Sequence, residues 1–282
     1  MKFGYLENIE DVDFSLPLEP ARNSMVLTGK PKEGARLYVG STHWIDKEFV
    51  GNIYPAKAKA NQYLYYYTKA FSTLELNATH YRVFDKKIVE KWAMQSSNHF
   101  VFCPKMYQLV SHRYRLKNAM AITEDVATSL GYLKEKLGPV FVQLPDNMNA
   151  ETFGQIEHYL QESSHLLPLA LEVRHHTFLH DEFWDMLTQF GTTTCITDVA
   201  GRRDLAHMQL TTPQVQIRFV GNGGHKSDFT RIDDWLDRLN FWFSMGLEKA
   251  FFFIHQPNPL TVKPLYDYLI IRAIQYPFVR LV

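Results

Sequence analysis

Short apolar runs recur along the chain from residue 36 onward, and most of them are followed by a segment with helical spacing. The runs predict eight strands, over residues 37–40, 73–77, 100–103, 140–144, 169–174, 192–197, 215–220 and 250–254. Continuous apolar strands that are joined by helices are typical of a parallel sheet covered by helices. Eight such units in roughly 240 residues predict an α/β protein with a single-domain TIM-type (β/α)8 barrel. An open doubly wound sheet is the alternative, but the chain lacks a dinucleotide-binding glycine fingerprint.

The connections between these strands predict helices. Their expected ranges are 61–70, 86–95, 123–137, 151–162, 181–190 and 262–275, with a further helix that ends near residue 245. Asp85 and Asp181 are expected to cap two of them, and Thr230 with Asp233 has the spacing of a capping box. The connection over 199–213 carries a weak pattern that predicts one helical turn.

Residues 1–35 show no sustained period of either helix or strand. They carry scattered acids and, in their second half, four prolines or glycines. We therefore predict an N-terminal extension over 1–35 that wraps or frays, followed by the barrel domain over 36–282.

Composition and charge narrow the functional classes. Thirty basic residues balance thirty acidic ones, so a nucleic-acid or membrane partner would need a local basic patch. Cys103 and Cys195 lie far apart in apolar runs, which predicts two buried reduced thiols and no zinc or disulfide framework. No apolar run reaches the ~18 residues of a membrane span, and the first twenty residues lack a signal-peptide pattern. We expect a cytoplasmic protein with no membrane partner.

Charged residues interrupt the apolar stretch 168–176. Because side chains alternate along a strand, Glu172 and Arg174 share a face with Ala170, on the lumen side of the predicted barrel. A carboxylate and a guanidinium on a buried face are costly unless they are paired or used. Glu75 and Asn77 repeat this pattern on the second strand. Active sites of such barrels lie where the strands end, so these residues predict a site at the carboxyl-end mouth.

The candidate catalytic residues are Glu172, Glu75 and Asp198. A partly desolvated glutamate has its pKa raised toward general acid–base work. Arg174 and Arg218 suit bidentate capture of a phosphate or carboxylate, which predicts a small anionic ligand. The predicted substrate-binding residues lie at or after the strand ends and are Arg174, Lys105, Arg218, Asn77, Tyr81, Trp44, Gln143 and His175.

Other interpretations of the same residues stay open. The charges could neutralise one another as a buried network without catalytic use. A metal is a weaker alternative, since no close ligand pair such as HExxH occurs; its candidate ligands are Glu172, His175 or His176, Asp198 and His255, and the sequence leaves the cofactor unknown.

Two loops carry further candidates for binding. The loop 105–117 interleaves basic residues with Tyr107 and Tyr114, which suits single-stranded nucleic acid, although a solvated rim is the simpler interpretation. The glycine-rich stretch 221–224 could bind an anion through backbone N–H groups, or be a plain flexible loop.

Taken together, the segments resemble the YecE-like family, also called the domain-of-unknown-function 72 (DUF72) family. The matching stretches are Gly40-Ser-Thr-His-Trp44 with Tyr54-Pro55, Glu75-Leu-Asn-Ala-Thr-His-Tyr-Arg82, Phe100-Val-Phe-Cys-Pro-Lys105 with Ser111-His112, Leu137-Gly-Pro139 with Gln143-Leu-Pro145, and Leu171-Glu-Val-Arg-His175. The resemblance implies a TIM-type barrel, broadly similar to the barrels of divalent-metal sugar isomerases and endonuclease IV-like repair nucleases. It implies no established activity.

The chain departs from the family pattern at the barrel mouth. Thr42-His43 stands where the family has a small glycine-containing segment, Arg218-Phe-Val-Gly221 replaces Arg-x-His-Gly, and His255-Gln256 replaces two asparagines. The mouth chemistry is therefore expected to differ from that of typical members. We expect a protein of unknown function, best interpreted as a barrel enzyme for a small anionic (phosphorylated) or sugar-like substrate. The alternative is a nucleic-acid-binding protein or a metal-dependent phosphodiesterase.

Overall fold

The centre of the protein is one sheet of eight parallel strands, seen in a computed structural model that describes residues 3–282. The strands are β1 (Arg36–Ser41), β2 (Thr73–Leu76), β3 (Val101–Pro104), β4 (Val140–Gln143), β5 (Leu169–Glu172), β6 (Thr193–Asp198), β7 (Gln214–Val220) and β8 (Lys249–His255). Each predicted strand is present, with ends that differ by one or two residues. The order in the sheet is β3-β2-β1-β8-β7-β6-β5-β4, so the first and last strands of the chain are neighbours.

The sheet curls until β3 meets β4, and it closes there through the segments that flank both strands. The N–H of Met106 donates to the carbonyl of Phe141 (2.9 Å), and the N–H of Gly138 donates to that of Phe102 (2.8 Å). These contacts replace a regular ladder at the seam. The predicted TIM-type barrel is therefore confirmed, as a nearly closed one.

Within residues 3–282, seven α-helices cover the barrel; six of them connect successive strands, a 3₁₀ turn lies between β6 and β7, and the seventh helix follows β8. The helices are α1 (Tyr63–Ala70), α2 (Lys86–Gln95), α3 (Met120–Gly131), α4 (Phe153–Ser163), α5 (Asp181–Gln189), α6 (Lys226–Ser244) and α7 (Val262–Ala273). Their apolar faces join the outward-facing strand residues in one large core. None of the helices within residues 3–282 is both long and apolar enough to cross a membrane.

Of the three predicted helix N-caps, the one on α2 is present, and those on α5 and α6 are wrong. The Asp85 carboxylate accepts from the N–H of Ile88 (3.1 Å) and begins α2 as predicted. Asp181 is the first helical residue of α5, and His180 occupies the cap position. α6 begins at Lys226, so the predicted capping box over 230–233 lies inside a helix, where the same spacing of polar residues occurs on one face.

Two connections that looked irregular contain short helical turns. Ala200–Leu205 forms a 3₁₀ turn after β6, as predicted. Leu109–Arg113 forms a turn of π-helix within the segment that the sequence predicts as a long polar loop. The predicted helix over 123–137 divides into α3 and a 3₁₀ turn at Lys134–Lys136.

Small apolar groups fill the barrel interior, separate from the core beneath the helices. One group joins Phe141, Ala170 and Cys195, and another joins Cys103 with two phenylalanines of β8. Both cysteines are buried free thiols, as expected, and burial raises the pKa of each. The lower barrel is therefore packed mainly by apolar groups, and the charged groups lie in the layer above them.

The residues before β1 lie on the barrel surface and reach across its mouth. The Glu19 carboxylate accepts from Arg238 (3.0 Å) and from the indole N–H of Trp242 (2.8 Å) on α6. Nearer the N-terminus, the carbonyl of Gly4 accepts a hydrogen bond from the N–H of Gly201 (2.9 Å), beside the end of β6. The division of the chain at residue 36 stays a prediction, but the position of residues 3–10 bears directly on the site.

Candidate active site

A buried ionic network stands at the carboxyl ends of β2, β5 and β7. The Arg218 guanidinium is at its centre: Nε and Nη2 donate to the two oxygens of Glu75 (2.8 and 3.1 Å), and Nη1 donates to Glu172 (2.9 Å). Nε of Arg174 donates to the other oxygen of Glu172 (3.1 Å). Glu75, Glu172 and Arg218 are each at most 1% exposed. Their charges are withdrawn from water, so each depends on its partners.

Strand alternation explains why these charges meet. Glu172 lies two residues after Ala170 on the face of β5 that looks into the barrel, and Arg218 of β7 reaches it across the lumen (2.9 Å). Asn77 follows β2 in a 3₁₀ turn, and its amide still reaches Glu75 Oε1 (3.0 Å). The sequence therefore places Glu75, Asn77, Glu172, Arg174 and Arg218 in one neighbourhood, and the structure brings them together.

Both glutamates of the network are held ionised. Burial alone would raise the pKa of Glu75, but Arg218 and His255 outweigh it and keep that pKa well below its usual range. Burial likewise opposes ionisation of Glu172, whose pKa is nonetheless lowered by Arg218, Arg174 and Lys105. The expected rise of these pKa values toward acid–base work is wrong, because a guanidinium bonds to each carboxylate. At neutral pH both glutamates can accept hydrogen bonds but not release a proton.

His255, at the end of β8, is a titratable side chain that contacts the network through one ring nitrogen. Its Nε2 lies 3.1 Å from Glu75 Oε2. Within residues 3–282, no group hydrogen-bonds to its Nδ1. Burial lowers the pKa of His255, and the nearby Arg218 lowers it further against the opposing effect of Glu75. An imidazole that donates Nε2–H to Glu75 presents Nδ1 as an acceptor.

Lys105, directly after β3, is a neighbour of the network whose amine has a lowered pKa. Its Nζ donates to Gln143 Oε1 (2.9 Å) and lies 5.4 Å from the centre of the Phe141 ring. Burial and the charge of Arg218 lower the pKa of Lys105 to about 8, against the opposing pull of the two glutamates. A measurable share of this amine is therefore neutral at physiological pH.

Within the described chain, the guanidinium of Arg174 uses only Nε for a hydrogen bond to a side chain. Its Nε is bonded to Glu172, whereas within the described chain neither Nη nitrogen has a hydrogen-bond partner. The Phe3 ring covers one face of the group, with its centre 3.9 Å from the Arg174 Cζ. A guanidinium stacked in this way is oriented while its in-plane donors stay available.

A cavity of about 660 Å³ opens beside the network. One wall comes from the ends of β1, β6, β7 and β8, and residues 3–10 of the N-terminal extension form the other. Its polar lining includes Glu7, Asn222, His255 and Gln256. His255 thus joins the cavity to the ionic network, since one side of its ring lines the cavity and the other bonds to Glu75.

Asp198 lies apart from the mouth, in a buried cluster of its own. It accepts from Nε of Arg231 (3.1 Å) and Nε1 of Trp235 (2.8 Å), and also from Arg203. Burial opposes its ionisation, but Arg231 and Arg203 lower its pKa. Asp198 ends β6 on the face that packs against α6, opposite to the lumen face of Cys195. The structure does not bring this predicted catalytic residue to the site.

Three further predicted residues also lie away from the network. Trp44 packs edge-on against Trp92 (5.7 Å between ring centres), and Tyr81 is 68% exposed. Nδ1 of His175 lies 2.8 Å from Thr177 Oγ1. Trp44 and His175 are engaged in local packing or capping and Tyr81 is exposed, so Gln143, Asn77, Lys105 and Arg174 remain as the predicted binding residues beside the site.

The metal interpretation has no support in the described chain. Within residues 3–282, no three His, Cys, Asp or Glu side chains are placed to share a metal ion. The candidate set of Glu172, His175 and Asp198 is wrong because Asp198 faces α6 and His175 turns toward Thr177.

The glycine-rich turn after β7 already holds an anion of the protein itself. The N–H groups of Asn222 (2.9 Å) and Gly224 (3.0 Å) donate to the carboxylate of Asp228. Oε1 of Gln256 accepts from the N–H of Gly223 (3.0 Å). These contacts order the turn and use the donors that the sequence offers to an external anion.

The basic loop 105–117 is largely packed against the barrel. Met106, Val110 and Leu116 are buried in the core, and Lys105 turns into the mouth. The exposed positions that keep the basic and aromatic pattern are Arg113, Tyr114 and Lys117. A nucleic-acid partner at this loop stays a prediction, now limited to this rim.

The fold and the site define a TIM-type barrel whose mouth contains a glutamate–arginine network flanked by a lysine and a histidine. The family model described as "Protein of unknown function DUF72" matches residues 38–267, and the chain belongs to this family. UPF0759 protein YecE of Escherichia coli (strain K12) is 24% identical over 215 residues, which cover 68% of this chain and 78% of that protein. UPF0759 protein YunF of Bacillus subtilis (strain 168) is 26% identical over 163 residues, 55% and 56% of the two chains.

Solved structures of the family have the same fold. A DUF72 family protein from Enterococcus faecalis matches with a TM-score of 0.66 at 16% identity, covering 86% of this chain and 98% of that one. A DUF72 family protein from Thermotoga maritima matches with a TM-score of 0.66 at 20% identity, covering 85% and 99%. The predicted family is therefore confirmed, and the family's description assigns no activity to its members.

Proposed function

We propose that this protein is a barrel enzyme that acts on a small anionic compound, such as a phosphorylated or sugar-like metabolite, at the carboxyl-end mouth. One observation carries the proposal. The network consumes the hydrogen-bonding capacity of Glu75, Glu172 and Arg218 but leaves the Nη groups of Arg174, the amine of Lys105 and Nδ1 of His255 available. A purely structural network would not need three such groups at its open edge.

Arg174 is the anion-binding residue in this proposal. Its two Nη donors form a planar fork that matches a carboxylate or phosphate. Glu172 fixes the guanidinium through Nε, and Phe3 holds one face. Arg218, which the sequence suggests for the same role, is instead a positioning residue, because all three of its nitrogens already bond to glutamates.

His255 carries the proton transfer. Glu75 fixes the ring through Nε2, and the lowered pKa of His255 keeps the imidazole neutral and ready to accept a proton at Nδ1. Arg218 and Asn77 in turn hold Glu75. Glu75 and Glu172, named as catalytic from the sequence, orient His255 and Arg174 and transfer no proton themselves.

Replacing Arg174 with Ala is expected to weaken binding of phosphorylated and carboxylate metabolites at least tenfold. A hydrogen bond between charged groups contributes about 1.5–3 kcal/mol, and each 1.4 kcal/mol is tenfold in affinity. A thermal-shift screen of such metabolites, followed by calorimetric titration of the hits, measures the effect. Arg113→Ala removes an exposed arginine of the rim and is the matched control, expected to bind as the wild type does.

The same titrations distinguish the nucleic-acid alternative. Binding of single-stranded oligonucleotides that falls steeply with salt, and that is lost in Arg113→Ala but kept in Arg174→Ala, would place the ligand at the rim and contradict the proposal. Equal affinities of the wild type and Arg174→Ala for every small anion that binds would also contradict it.

A further inference from the structure

We propose that Lys105 forms an imine with the carbonyl group of an anionic aldehyde or 2-oxo acid that binds at the barrel mouth. The inference rests on the proposed function and names the class of substrate that the same site would take. It assigns to Lys105 a covalent role, beyond the hydrogen bonding that the sequence suggests.

The position of the amine is the first support. Lys105 is the residue directly after β3, so the barrel wall delivers its Nζ to the mouth, where the side chain is partly exposed. Nζ has one hydrogen-bond partner within the described chain, Gln143 Oε1 at 2.9 Å. The amine therefore has a fixed direction and free positions for a bond to carbon.

The surroundings favour the neutral, nucleophilic amine. Nζ lies 5.4 Å from the centre of the Phe141 ring, an apolar wall, and the Arg218 guanidinium lies 5.0 Å from the same ring. An amine beside an apolar group and a second cation loses its proton more readily than one in water. The charged and titratable groups that face Lys105 are Arg218, Arg174, Glu172, Glu75, His80 and His112. Their combined effect with burial sets its pKa at about 8.

An anion partner stands on the same side of the network. Lys105 bonds to Gln143, which lies opposite Glu172 in the β4–β5 ladder, and Arg174 bonds to Glu172 itself, so both cationic side chains are placed on the side of Glu172. The free Nη donors of Arg174 can hold the substrate's carboxylate or phosphate while the carbonyl carbon meets Nζ. A substrate with its anionic group near the carbonyl fits this arrangement, which is why a 2-oxo acid or a short phosphorylated aldehyde is the class we assign.

The covalent step balances without any other reactant. The lone pair of neutral Nζ attacks the carbonyl carbon, and the carbonyl π electrons move to oxygen, which takes one of the two Nζ protons to give a carbinolamine. The nitrogen lone pair then expels that oxygen as water, which takes the second Nζ proton, and a C=N bond replaces the C=O bond. His112, half-buried beside Lys105 and with its pKa lowered by burial and by the lysine charge, is a neutral imidazole suited to carry these protons.

Reductive trapping of the full-length protein tests the proposal. The protein is incubated with glyoxylate and cyanoborohydride near pH 7.5, and modified lysines are mapped by peptide mass spectrometry over time. We expect Lys105 to be modified at least about tenfold faster than the exposed Lys117 of the same loop, because a lower pKa leaves a far larger fraction of neutral amine. The rate at Lys105 should rise with pH to a plateau above about pH 8.

Variants of the two lysines and a neutral aldehyde distinguish failure of the imine proposal from failure of the proposed anion site. Lys105→Arg keeps the charge and removes the nucleophile, so it should abolish the fast phase, whereas Lys117→Arg should not. Modification of Lys105 no faster than Lys117 in the wild type overturns the imine, whatever the variants do. If Lys105 reacts quickly with glyoxylate and with neutral propionaldehyde alike, and Arg174→Ala changes neither rate, the imine stands and the proposed anion site fails. Titration of Lys105→Arg with phosphate or pyruvate tests that anion site without the covalent step.

Discussion

Replacing Arg218 with Met is expected to lower the free energy of unfolding by about 3–5 kcal/mol, the usual cost of removing one partner from a buried ion pair. The guanidinium is fully buried and bonds to both Glu75 and Glu172. A methionine of similar length fills the space but leaves two buried carboxylates with weaker partners, His255 and Arg174. Urea unfolding at pH 8 measures the loss, and Arg113→Met, on the exposed rim, is the control expected to change stability by at most about 0.5 kcal/mol.

The pH dependence of this loss identifies its electrostatic cause. In the wild type, the lowered pKa values of Glu75 and Glu172 contribute stability above the unfolded-state pKa of about 4.3, and this contribution is lost as the pH falls further. Without Arg218, burial dominates and raises the folded-state pKa of Glu75. A carboxyl with a raised folded pKa contributes stability at low pH and loses it as the pH rises. The deficit of Arg218→Met should therefore be smaller at pH 5 than at pH 8.

An equal deficit at both pH values would mean that lost packing, and not unpaired charge, explains the effect. A variant as stable as the wild type would show that the network does not hold the mouth together. It would also return Arg218 to the role that the sequence first suggests, a residue available to a ligand. The stability of Arg218→Met thus distinguishes a structural role of Arg218 from a ligand-binding role.

Much of the network follows from the sequence because it depends on strand alternation alone. Glu172 and Arg174 share a strand face, and Glu75 repeats the pattern on β2. Since the carboxyl ends of all eight strands meet at one mouth, charges at those ends must come close together. The sequence also shows that each acid must find a base, but not which base. Arg218 reaches across the barrel to pair with both glutamates, and such long-range pairing has no local signal.

The residues that sequence reasoning placed wrongly depend on tertiary contacts. Asp198 ends its strand as Glu172 does, yet it lies one residue out of phase with the lumen and meets α6 instead. His255 has a detectable signal, since it directly follows the apolar stretch of β8, but its orientation depends on Glu75, 180 positions earlier. The extension has no period at all, so nothing in residues 3–10 predicts that they wall the cavity.

Asp198→Ala is expected to cost about 3–5 kcal/mol of unfolding free energy while leaving ligand binding at the mouth intact. The carboxylate accepts from Arg231 and from the indole of Trp235, both fully buried, and from Arg203. Removing the carboxylate leaves the buried Arg231 with two backbone carbonyls, those of Val220 (3.1 Å) and of residue 198 (2.9 Å), and with the longer ion pair to Asp228 (3.5 Å). A buried charge that loses its nearest ionic partner has a cost similar to that in the network.

Asp204→Ala provides the matched control for this cluster. Asp204 lies in the 3₁₀ turn that follows Asp198 and pairs with Arg202 at the surface, so its loss should change stability by at most about 1 kcal/mol. Urea unfolding compares the two variants, and calorimetric titration with a confirmed anionic ligand of the wild type measures the mouth. If the Asp198→Ala variant instead unfolds as the wild type does but no longer binds the ligand, Asp198 would belong to the site, as the sequence predicts. The cluster faces α6 and not the lumen, so we expect stability to fall and the ligand affinity at Arg174 to stay within about twofold.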